Sequence, residues 1–168
     1  LEALTDSTRT PAAQRHTAIE LASQLNDPRL KLFVTSVLLR MRAQLAKQWN
    51  EMDYVPLDVA GERSDHLIAY SRAVISPTNR SVVVLAPRLW FTLAGKEISG
   101  QGWNQATAES VWEDTTVGGP IHESTFVDVF TGAQRNWSAK TRVADLLGDF
   151  PVAVLVGGAD LAHSTDHA

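Results

Sequence analysis

The stretch LLRMRAQLAKQWNEMDYVPLDV, Leu38 to Val59, is where the chain changes period. Before Asn50 the apolar residues step by three and four. Leu30, Phe33, Val34, Val37, Met41, Leu45 and Trp49 form one stripe, the pattern of a helix with a single buried face. After Asn50, DYVPLDV alternates as a half-buried strand does. The spacing therefore predicts a helix over roughly 28–49, strands beyond it, and a boundary near residue 51.

Towards the N-terminus, Thr10 before Pro11 is a helix opening, because a hydroxyl caps orphan N–H groups and proline tolerates the first helical position. Ala18, Ile19, Leu21, Ala22 and Leu25 continue at helical spacing until NDP stops the run, and Asp27–Pro28 repeats the opening signal. Arg40, Arg42 and Lys47 stand towards the end of the second helix, where cations suit the helix dipole. Towards the C-terminus, DHLIAYSRAVI, SVVVLAPRL, VWEDTTV, TFVDVFTG and FPVAVLVG read as strands, separated by VAGERSD, SPTN, KEISGQG and VGGP. Six or seven short strands of this kind predict an antiparallel sandwich or barrel, so the expected class is mainly β with two N-terminal helices. The tail GGADLAHSTDHA is expected to fray. Two helices form no layer alone, so they either pack on the sandwich or belong to a larger helical or α/β body, and the second is expected.

Composition narrows the function classes. A chain of 168 residues can bury about 70% of its unfolded surface without staples. It has no cysteine, which excludes disulfides, thiolate metal sites and a cysteine nucleophile and fits a cytoplasmic location. Fifteen basic residues against nineteen acidic ones, scattered along the chain, leave a net charge of −4 and no stripe to neutralise phosphates. No nucleic-acid partner is expected. Nor is a membrane partner, because the longest apolar runs fall far short of the roughly 20 residues that span a bilayer. The opening LEALTDSTRTP, without an initiator methionine, leads us to expect a piece of a longer protein.

Few residues carry chemistry. VWEDTTV sets a tryptophan beside two carboxylates and two hydroxyls, but in a strand Glu113 and Asp114 point to opposite faces and cannot flank one bond. It reads as scaffold. His16, His66 and His122 show no ligand spacing, and His163 and His167 stand four apart only in the Gly-led tail, so no metal site is expected. There is no GxSxG elbow and no phosphate-cradling loop. The five tryptophans are the remaining candidates. Trp90 beside Phe91, and Trp103 in GQGWNQ, fall near loops where a glycan platform can form, whereas Trp49 and Trp137 read as cover for the joint between helices and sheet.

Taken in order, KLFVTSVLLRMRAQL, DYVPLDVAG, DHLIAYSR, SVVVLAPRL, VWEDTTV, FVDVFTG and DLLGDFPVAVLV resemble the C-terminal end of the maltooligosyltrehalose synthase family, within the α-amylase superfamily. The resemblance covers nearly the whole of residues 27–156. LLRMR and MDYVPL stand where the superfamily's last barrel helix passes into an all-β domain. The resemblance departs from the family in three places: DSTRTPAAQR replaces a loop like DPDNRRPVDY, MDY replaces GDY, and WEDT replaces WGDT.

The resemblance implies that residues 1–50 are the last loop and terminal helices of a (β/α)8 barrel absent from this chain, and that residues 51–168 are an antiparallel β-sandwich C-terminal domain. It implies an enzyme that converts the reducing-end α-1,4 bond of a maltooligosaccharide into an α,α-1,1 trehalose linkage. Such retaining chemistry needs two carboxyl groups about 5–5.5 Å apart and a site from which water is excluded. It calls for no cofactor. The catalytic carboxylates would precede Leu1, so none is assigned in this chain. Asp6 and Arg9, on the loop at the active-site face, are the candidate substrate-binding residues, the other reading being a polar loop whose Asp or Thr caps the helix that follows. The implied partners are the maltooligosaccharide, held by the missing barrel, and maltooligosyltrehalose trehalohydrolase, which acts next. The alternatives are the C-terminal domain of a hydrolytic α-amylase relative, a stand-alone carbohydrate-binding β-module, and a purely structural domain.

Overall fold

The structure, a computed structural model, describes residues 10–74, 80–98 and 102–158. Helix α1 (Pro11–Ala22) starts as its sequence dictates: Thr10 is extended at φ −115° and its hydroxyl accepts the N–H of Ala13 at 3.2 Å, with Pro11 in the first turn. Helix α2 (Arg29–Gln44) follows after Asp27, whose carboxylate takes the N–H of Arg29 at 2.8 Å. The expected helix over 28–49 is broken at Leu45 and resumes as the single turn α3 (Ala46–Trp49).

After the period change the chain builds two antiparallel sheets. Strand β1 (Asp53–Pro56) pairs with β3 (Leu67–Val74), which pairs along its whole length with β4 (Arg80–Pro87). Adding β9 (Ala153–Gly157), β6 (Thr125–Asp128) and β7 (Gln134–Asn136) gives a six-stranded sheet in the order β1-β3-β4-β9-β6-β7. Strands β2 (Asp58–Ala60), β5 (Thr116–Gly118) and β8 (Thr141–Arg142) form a three-stranded sheet. Leu57 alone separates β1 from β2, so the chain changes sheets across one buried residue. The arrangement is consistent with a sandwich, and among the described residues no sheet closes into a barrel.

Helices also occur where the sequence was read as strand and turn. VWEDTTV is not one strand: Val111 and Trp112 end helix α5 (Gln105–Trp112), and only Thr116 and Val117 of that stretch belong to β5. Asn104 starts α5 by accepting the N–H of Thr107 at 3.0 Å, and Ala108, Val111 and Trp112 are buried at steps of three and one. Glu113 stops it at φ +49°. Helix α4 (Trp90–Ile98), interrupted by Gly95 at φ +64°, and helix α6 (Val143–Leu147) complete the set.

The core joins helices to sheet. Phe33 of α2 is fully buried, with ring centroids 6.2 Å from Phe130 and 5.8 Å from Phe150, and those two rings stack at 5.1 Å. From α1, Ala18, Leu21 and Ala22 enter the same cluster. The Gln14 amide donates to the carbonyl of Val129 at 2.5 Å, and the Trp103 N–H to that of Ala22 at 2.7 Å. The helical stripe is thus covered from within the chain, while Leu32 and Leu39 remain exposed. No helix among the described residues is long and apolar enough to cross a membrane.

Candidate functional site

A cavity of about 600 Å³ lies between α1, α2 and the larger sheet. Thr10, Pro11 and Gln14 form one wall, and Val37, Arg40, Met41, Gln44 and Leu45 form the second. Its floor is Arg80 of β4, Val156 of β9 and the turn Val127–Val129 with Gly132. Helix α2 brings part of its apolar stripe, Val37, Met41 and Leu45, to this space together with the polar side chains Arg40 and Gln44.

Asp128 is the one carboxylate on the cavity wall among the described residues, and it is 1% exposed. It ends β6 and organises the turn in DVFTG: its Oδ1 accepts the N–H of Phe130 at 2.8 Å and of Thr131 at 3.4 Å. Burial raises its carboxyl from 3.8 to about 6, opposed by those N–H groups and by the charge of Arg135. Sequence reasoning passed over Asp128. The available signal was a carboxylate two residues before an aromatic and four before a glycine, the spacing of a side chain that clamps its own turn.

Asp6 and Arg9 lie outside the described residues, as do His163 and His167. Thr10 and Pro11, which follow Arg9 directly, line the cavity. No group of three His, Cys, Asp or Glu able to hold a metal occurs among the described residues. Glu113 and Asp114, expected on opposite faces of a strand, both serve the loop at Gly61–Arg63. Glu113 pairs with Arg63 at 2.6 Å, and Asp114 accepts the N–H of Glu62 at 3.2 Å. Arg63 accordingly holds the Glu113 carboxyl below its ordinary range.

The tryptophans correct one expectation and refine another. Trp103 is no platform: it is 4% exposed and its indole N–H donates to the carbonyl of Leu147 at 2.5 Å. Trp112 and Trp137 are also buried. Trp90 is half-buried, with its ring 5.3 Å from Trp103, and lines an apolar cavity of about 230 Å³ with Leu25, Leu30, Pro87, Pro151 and Val152. Phe91 beside it is exposed. Trp49, at the helix–sheet joint, lies under the Arg72 guanidinium at 4.6 Å.

No family model matches this chain, and no curated protein does. Among solved structures it is similar to a mutant of maltooligosyltrehalose synthase from Arthrobacter ramosus, at 27% identity and a TM-score of 0.50. The match covers 76% of this chain and 14% of that one, so the chain corresponds to a small part of that enzyme's length.

Proposed function

We propose that this chain is the C-terminal part of an enzyme related to maltooligosyltrehalose synthase, a cytoplasmic isomerase that turns the reducing-end α-1,4 bond of a maltooligosaccharide into an α,α-1,1 linkage. In this reading residues 1–50 carry the last loop and terminal helices of a catalytic (β/α)8 barrel, and residues 51–168 form the C-terminal domain behind it. The carrying observation is the likeness to that synthase, over most of this chain and a short stretch of the other. Asp6 and Arg9 would reach substrate from the loop that leads into α1. The product would pass to a trehalohydrolase.

The test compares the 168-residue chain with the full product of its gene on maltopentaose. The gene product is expected to lower reducing ends with little glucose released, and the chain alone to do neither. Stoichiometric glucose release would instead assign a hydrolytic relative of the α-amylases. Turnover by the chain alone would overturn this reading.

A further inference from the structure

Asp128 is buried, yet it lines the cavity of about 600 Å³ between the N-terminal helices and the larger sheet. Its Oδ1 is occupied by two backbone N–H groups, whereas its Oδ2 has no hydrogen-bond or ion-pair partner among the described residues. A carboxylate on a cavity wall with one oxygen already committed to its own turn can accept from a donor that arrives through the cavity.

The surrounding groups decide what the donor belongs to. A cation in the cavity meets Arg40 and Arg80, and an anion meets Asp128 in a poorly solvated wall. A neutral molecule with several hydroxyls meets neither objection. It donates to the Asp128 carboxylate and accepts from the guanidinium of Arg80 on the same floor and from the amide N–H groups of Gln44 on the α2 wall. The volume lies in the range of about 300–1,000 Å³ usual for small-ligand sites.

We propose that this cavity binds a neutral polyol of one or two hexose units, with Asp128 as acceptor and Arg80 and Gln44 as donors. The polyol class stands on the cavity alone. The choice of α-linked glucose units rests on the function proposed above.

Titration of the 168-residue chain with maltose and with trehalose, followed by backbone amide NMR, tests this. At least one disaccharide is expected to shift the Asp128–Gly132 amides. Asp128→Asn keeps an oxygen for the Phe130 and Thr131 N–H groups but turns the cavity-facing atom into a donor, and should weaken binding about ten-fold or more. Arg80→Gln should weaken it as well, with the amide spectrum otherwise unchanged in both variants. Sorbitol or sucrose binding as tightly as maltose, with the same loss in Asp128→Asn, supports the polyol site and counts against glucose. Silence from every sugar overturns the proposal. So does binding of inorganic phosphate or methylammonium in their place.

Discussion

Asp128 concentrates three demands on one side chain: it clamps its own turn, it lines a cavity, and it is buried with a carboxyl raised to about 6. Because the folded-state value lies above the unfolded one, the folded protein holds the proton more tightly. The stability this group contributes is therefore complete below pH 3.8 and lost as pH rises through about 6. Asp128→Asn removes the titration and preserves the turn's acceptor. It is expected to be more stable than the parent at pH 7.5, by up to about 3 kcal/mol, and to lose that advantage by about pH 4. Urea melts at the two pH values measure it, and an advantage independent of pH would contradict the assignment. Trp103 shows why residue roles were only partly legible. Glycine and asparagine around it read as an exposed loop, but its N–H groups reach Ala22 and Leu147, partners far away along the chain that local pattern cannot show.

Elements were legible where period and punctuation agreed. The stripe over 30–49, apart from its break at Leu45, the Thr10–Pro11 opening and the valine-rich run of β4 each place a unit correctly, because a helix or strand with one buried face writes that face into its spacing. VWEDTTV was misread because a helix ends inside it and a strand begins four residues later, so the window averaged two periods. The junction depends on Gly61, at φ +111°, whose added Cβ would lie 2.7 Å from the Cα of Thr115 and 2.9 Å from Asp114 Oδ1. Gly61→Ala combines a conformation that L-residues avoid with a backbone collision. It is expected to cost about 2 kcal/mol or more by urea denaturation. A change within about 0.5 kcal/mol would mean that the β2–β5 pairing yields easily.

At the scale of the whole molecule, periodicity said that the helical stripe must be buried but not against what. The answer is Phe33, set against Phe130 and Phe150, which joins the helices and the sheet in one apolar cluster. Phe33→Ala should lower stability by about 3–5 kcal/mol. The helical signal in far-UV circular dichroism and the tryptophan fluorescence, which reports mostly on residues 90–137, are expected to be lost together in urea. Separate transitions would contradict a shared core.

The strand order of the larger sheet bears on how the chain comes off the ribosome. β9, synthesised after every other described strand, is inserted between β4 and β6. Until it emerges, β4 and β6 have no common neighbour, and the run Val82–Leu85 waits unpaired on one side. The middle of the sheet closes last, and because β4 and β9 meet from far apart along the chain this pairing is expected to form more slowly than the local β3–β4 hairpin.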